Sequence, residues 1–206
     1  DPQAMRRYLL LLTEALSLIV WPIAMGMSLV AHEFVLVVLG DKWNGVIAPL
    51  EILACWAGVR SVFSLVPPLL YVTSNSRVAM LNGLLCVATY PIAFWVGSSW
   101  GVVGLAWAWV VVQPFGFIQP YVHVLRAIEL SFWRYIHALW PACTGVVFMV
   151  AAIKGIQQIV QSDWPLTVRL GVEICVGAVA YICAVLMFHH RRLWQLLAVV
   201  RSKGSK

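Results

Sequence analysis

Six apolar runs, each long enough to cross a bilayer, divide this chain and leave it few folds to adopt. A hydrocarbon core about 30 Å thick requires roughly 20 mostly apolar residues in a helix that rises about 1.5 Å per residue. Runs of that kind extend approximately from Tyr8 to Val30, Ile47 to Val72, Val78 to Val96, Val102 to Val124, Ile136 to Ile153 and Leu166 to Phe188. Strands of a membrane barrel would alternate apolar and polar residues, whereas the segment LLLLTEALSLIVWPIAMG is apolar on every face. The expected fold is therefore all-α, a polytopic membrane helix bundle of about six transmembrane helices. With 62% hydrophobic and 11% charged residues, the composition excludes soluble globular, disordered and collagen-like classes.

The basic residues decide the direction of the crossings. Arg6, Arg7, Arg77, Arg126 and Arg134, together with Arg191, Arg192, Arg201, Lys203 and Lys206 in the tail, fall on the side of the N-terminus. Lys42, Lys154 and Arg169 fall on the other side, and Arg60 lies within a span. The positive-inside rule then places both termini in the cytoplasm, and an odd number of spans would destroy the asymmetry. Trp43, Trp100 and Trp164 mark the outer interface and Trp133 and Trp194 the inner one, while Trp56 and Trp107 sit within spans and read as packing residues. Basic residues scattered between apolar runs do not make a nucleic-acid surface, despite the net charge of +6. The tail from His189 onward mixes basic and apolar residues, as a helix lying on an anionic membrane surface does.

Cys55, Cys86, Cys143, Cys175 and Cys183 lie inside apolar runs without a CxxC pair and read as small buried hydrophobes. His123, His137 and the His189-His190 pair lack partners at metal-ligand spacing, so neither a metal nor a cofactor is expected. No Walker loop, Gly-x-Ser-x-Gly or useful carboxylate pair occurs, which leaves pumps driven by nucleotides and hydrolases without support. The first residues, Asp-Pro-Gln-Ala-Met-Arg-Arg, lack an initiator methionine and read as an internal start, so the site residues visible here form a partial set.

Intramembrane polar residues are the candidates for chemistry, since a charge at a helix centre costs about 2.5 to 3.5 kcal/mol on insertion scales. Arg60 is 12 or 13 residues from either end of its run, which is about 20 Å and close to the midplane. A guanidinium keeps its charge, so it must face an anion, a carboxylate such as Glu14, backbone carbonyls or water. Glu14 sits about 9 Å inside the first run and is either a snorkelling side chain, a partner of Arg60 or a proton or cation site. Glu51 and Glu173 are expected near the outer interface. Gln113-Pro114 and Gln119-Pro120 in the fourth run predict a bent helix whose amides bond either a neighbouring helix or sugar hydroxyls. Pro22, Pro91 and Pro141 are expected to interrupt other helices, and Pro67-Pro68 to break the second.

The stretch Trp21-Pro22, Leu39-Gly40-Asp41-Lys42-Trp43, Gly58-Val59-Arg60, Pro67-Pro68-Leu69-Leu70 and Ser74-Asn75-Ser76-Arg77 resembles the C-terminal half of bacterial lipopolysaccharide and exopolysaccharide flippases. These form the polysaccharide-transport branch of the multidrug/oligosaccharidyl-lipid/polysaccharide exporter superfamily, and Gly101-Val102-Val103-Gly104-Leu105-Ala106 matches a helix start of that branch. The doubled proline and the Ser-Asn-Ser turn depart from the family pattern. The resemblance implies the C-terminal part of a bundle of 12 to 14 helices. Residues 1–125 would supply four helices of the second lobe, 126–188 two additional helices, and 189–206 a basic cytoplasmic tail. It further implies export of undecaprenyl-pyrophosphate-linked oligosaccharide across the bacterial inner membrane by alternating access, without enzymatic chemistry and without a cofactor. Arg60 would face the pyrophosphate, and Glu14, Gln113 and Gln119 complete the candidate substrate-binding set. The implied partners are the lipid-linked oligosaccharide, membrane lipids and other polysaccharide-assembly membrane proteins. A multidrug or cation exporter of the same superfamily is the alternative within transport, weakened by the scarcity of intramembrane acids. A membrane polymerase or acyltransferase is the alternative from another class, weakened by short outer loops.

Overall fold

The computed structural model describes residues 2–65, 76–159 and 164–203, with residues 2, 76, 78, 79 and 190–203 described by their backbone alone. Its elements are α1 (Pro2–Leu29), α2 (Ala31–Val38), a 3-10 turn (Asp41–Val46), α3 (Ile47–Phe63), α4 (Ser76–Ser98), α5 (Gly101–Ala127), α6 (Phe132–Ile159) and α7 (Leu166–Lys203). Six helices among the described residues are long and apolar enough to cross a membrane, in the order the apolar runs predict. The chain is thus an all-α, multi-pass membrane bundle.

Several local expectations change. The second span closes at Phe63, with Ser64 and Leu65 turning back onto the Arg60 and Val62 carbonyls. Pro67-Pro68 and Ser74-Asn75 lie outside the described residues, as do the side chains of Trp194 and of the basic tail. Pro22, Pro91, Pro114, Pro120 and Pro141 lie inside helices that continue through them, so they do not interrupt. Each proline removes a single backbone bond, and the bonds on either side carry the helix across the gap. One break does occur in α7, at His189, whose φ of −132° and ψ of 20° separate the span from the helical tail.

A short helix, α2, occupies the link between the first two spans. It ends where Gly40, at φ 84°, adopts a left-handed conformation and donates its N–H to the Val35 carbonyl, a glycine-terminated helix cap. Gly101, at φ 69°, makes the equivalent reversal between α4 and α5.

Helix α1 is the hub. It packs against α3, α6 and α7, α3 carries α5, and α5 in turn carries α4. The main buried cluster joins Leu9 of α1, Val62 of α3, Tyr121, Val124 and Leu125 of α5, and Tyr135 of α6. Arg6 ties the same end together through a 2.7 Å ion pair with Glu129 in the α5–α6 link. At the opposite end, Ser28 donates to the Glu51 carbonyl at 2.9 Å. In the middle, the Tyr181 hydroxyl of α7 donates to the Leu18 carbonyl of α1 at 2.7 Å.

The reading of the cysteines as buried residues needs correction. Cys55, Cys175 and Cys183 are exposed and Cys86 and Cys143 only half-buried, because an apolar residue on a membrane helix can face lipid as readily as protein. Trp107 is likewise 53% exposed.

Small residues set how close the helices approach. A Cβ on Gly104 would overlap the Gly97 carbonyl oxygen, and one on Gly97 would sit 2.9 Å from Ala108 Cβ. A Cβ on Gly145 would meet the Tyr181 ring at 2.6 Å, whereas one on Gly83 meets nothing within 4 Å. Gly104→Ala and Gly145→Ala should therefore each destabilise the purified protein by about 1–3 kcal/mol, as overpacking does. Gly83→Ala should be neutral or slightly stabilising, given the lower helix propensity of glycine. Thermal unfolding midpoints of the three variants check the ranking.

Candidate functional site

The interface between α3 and α5 brings together Trp56, Arg60, Trp109 and Gln113. On α3, Trp56 and Arg60 are four residues apart and share a face; on α5, Trp109 and Gln113 have the same spacing. The two pairs cross. The Arg60 guanidinium carbon lies over the Trp109 ring, 5.6 Å from its centroid, and the Trp56 indole N–H donates to the Gln113 side-chain oxygen. A cation over an aromatic face gains about 0.5–1 kcal/mol when exposed and about 2 kcal/mol or more when desolvated.

Arg60 stands in the last turn of α3, and its long side chain runs back toward the helix N-terminus, which brings the guanidinium to the level of Trp109. Trp109 is eight residues into α5, about 12 Å along its axis. Glu14 is not its partner, for a geometric reason. Gly58 faces α1, where a Cβ would lie 3.3 Å from Ala24 Cβ, and Arg60, two residues on, points about 200° away toward α5. The guanidinium lies over the Trp109 ring, beside Tyr90 of α4.

An aromatic-walled cleft of about 390 Å³ is lined in part by Arg60, which is exposed. Trp56, Phe94 and Trp109 form its walls, Leu53 and Leu105 its apolar flanks, and Arg60 is its charged group. Tyr90 and Phe94 of α4 extend the aromatic surface, with ring centroids 5.4 and 5.9 Å from Trp109. Such a cleft can hold an anion on the guanidinium and the apolar faces of rings, including sugar rings, against the indoles.

Of the four candidate residues, the structure brings Arg60 and Gln113 together and leaves the others apart. Gln113 is 4% exposed and engaged by Trp56, which is the interhelical role rather than a free amide. Gln119 is exposed and lies about 240° round α5 from Gln113, so the two amides do not share a site. Glu14 is half-buried on α1, beside Thr13 and Ser17, which are fully buried; Ser17 donates to the Glu14 carbonyl at 3.0 Å. The i,i+4 spacing of an aromatic residue and a polar one on both α3 and α5 is the signal that would have disclosed Trp56 and Trp109.

A second polar cluster was not foreseen. Glu173, expected at the interface, is fully buried, and Arg169 lies in the first turn of α7 rather than in a loop. Together they meet Glu33 of α2, which is 3% exposed. Glu33 was not distinguishable in the sequence, because nothing local shows that α2 folds back onto α7. Among the described residues no group of three or more His, Cys, Asp or Glu side chains is placed to hold a metal ion.

The Trp56–Gln113 bond is testable by a double-mutant cycle. Trp56→Phe leaves the buried Gln113 amide without its donor and should cost about 1–3 kcal/mol, while adding Gln113→Leu should recover most of that loss. Unfolding midpoints of the single and double variants decide it.

Comparison with known proteins adds an independent line. Residues 1–48 match a family of polysaccharide biosynthesis proteins. The chain is 25% identical over 142 residues to the lipopolysaccharide biosynthesis protein WzxC of Escherichia coli K12, covering 68% of this chain and 29% of that protein. It is 22% identical over 129 residues to an uncharacterized membrane protein in the cps region of Klebsiella pneumoniae, covering 62% of this chain and 27% of that protein. The chain therefore spans less than a third of the length of either relative. No solved structure gave a significant match. Six membrane helices, the matched N-terminal segment and the two relatives agree in supporting a resemblance to the polysaccharide flippases among the membrane proteins of polysaccharide biosynthesis.

Proposed function

We propose that this chain is the C-terminal part of an exporter that moves undecaprenyl-pyrophosphate-linked oligosaccharide across the bacterial inner membrane. In this reading residues 1–125 complete the second lobe, 126–188 add two helices and 189–206 form a cytoplasmic tail. Both termini of the chain are cytoplasmic. The protein performs no covalent chemistry; it binds the lipid-linked substrate, contacts membrane lipids and works beside other polysaccharide-assembly membrane proteins by alternating access.

The observation that carries the proposal is the placement of Arg60. A permanent cation held over Trp109 in a cleft with Trp56 and Phe94 suits a substrate that joins a phosphate anion to sugar rings. The planar guanidinium can donate to two phosphate oxygens at once, while the indole faces present the flat apolar surfaces against which pyranose C–H groups pack. Gln113 takes part by fixing the Trp56 indole, and Glu14 and Gln119 belong to other faces of the lobe. A cation exporter would instead need an uncompensated acid at this cleft, and its charged lining residue is an arginine.

Export of surface polysaccharide in cells carrying Arg60→Ala in the intact protein should fall by at least about tenfold, the equivalent of losing about 1.4 kcal/mol of charge-assisted bonding. Arg60→Lys should retain an intermediate level, since the charge survives and the fork does not. Normal export by a stably inserted alanine variant would remove Arg60 from the mechanism. The orientation has its own check. A phosphatase that is active only outside the cytoplasm should be active when fused after Lys154 and inactive when fused after Ile128, and the reverse pattern would overturn the assignment.

A further inference from the structure

The cluster where α2 packs on α7 carries a charge imbalance that the transport cleft does not explain. Arg169 Nη2 lies 3.2 Å from Glu33 Oε1, and its Nε lies 3.4 Å from Glu173 Oε1. One guanidinium thus serves two carboxylates, whose side chains are 4% and 0% exposed. The second oxygen of Glu173, Oε2, is buried and has no hydrogen-bond partner among the described residues. Burying an unsatisfied polar atom of this kind is costly, and more so for a charged group. Glu173 is seven residues into α7, about 10 Å along the helix, where bulk water does not compensate it.

The surrounding elements do not supply a second fixed cation. On α2, His32 Nδ1 is 3.8 Å from Glu33 Oε1, but the ring is 56% exposed and faces the rim of the cluster. Lys42 in the 3-10 turn and Lys154 on α6 are exposed and take part in no ion pair among the described residues, and Asp41 is exposed beside Lys42. With both carboxylates ionised, Arg169 leaves one negative charge over.

We propose that Glu33 and Glu173 hold one sodium ion beside Arg169. A sodium ion would take the carboxylate oxygens, which are hard donors, as ligands. It would bring the cluster to neutrality and give Glu173 Oε2 a partner. The site is separate from the Arg60 cleft, and its occupancy does not depend on what that cleft transports.

The test is thermal unfolding of the purified intact protein in detergent. Replacing choline chloride by sodium chloride at constant ionic strength should raise the midpoint by several degrees, with a roughly equal increment for each tenfold rise above half-saturation. Glu173→Gln and Glu33→Gln mimic a neutralised carboxylate and should each abolish at least half of the response. Glu173→Asp keeps the charge and should shift the half-saturation point instead, which preserves the test if the glutamine variants fail to fold. His32→Gln should leave the response intact. A wild-type midpoint insensitive to sodium overturns the proposal and leaves an ion-pair latch between α2 and α7. So does a full response in Glu173→Gln, or its loss in His32→Gln.

Discussion

Inside a hydrocarbon layer a backbone N–H or C=O has no water to bond, and the whole architecture follows from that constraint. Six apolar helices satisfy it span by span, and the places where it could fail are handled locally. Internal prolines each cost a single bond and leave the helix running. Reversals between helices use Gly40 and Gly101, the positive-φ glycines among the described residues. Lipid supplies no hydrophobic force between helices, so close approach depends on shape, and Gly58, Gly97, Gly104, Gly145 and Gly177 stand where neighbouring helices come nearest.

Charge obeys the same economy. Arg6 pairs with Glu129 at one end of the bundle, Arg169 with Glu33 and Glu173 toward the other, and Arg60 lies on an aromatic face between α3 and α5. The first pair lies at the exposed edge of the bundle and staples α1 to the α5–α6 link; the second arrangement is buried and draws α2 onto α7. Arg60 differs from both, because its contact is a ring rather than a carboxylate. A cation held in this way is positioned without being neutralised and keeps its charge available to an anion.

The spans were legible because twenty apolar residues in a row have one stable fate in a bilayer, and five of the six helices begin or end within a few residues of the predicted limits. Side-chain partners were not. In the sequence Arg60 could face Glu14, an anion, backbone carbonyls or water, and only the packing shows that its guanidinium lies over the Trp109 ring. Gln113 and Gln119 looked equivalent until the packing of α5 buried one and exposed the other. Cysteines and Trp107 could not be assigned to protein or lipid, since both surroundings are apolar and accept the same residues.

What the sequence determined by itself was the class of solvent, the number of crossings, their alternation and the presence of a guanidinium that had to be accommodated. Those properties are sums along the chain, set by local hydrophobicity and by the rise of a helix. Tertiary structure alone decided which helices touch, that Arg60 lies over Trp109 while Trp56 bonds Gln113, and that Glu33 meets Arg169 across residues far apart in the chain. Such meetings depend on the rotation of each helix about its axis, and in a chain apolar on every face that rotation is fixed by packing between helices rather than by any pattern within one of them.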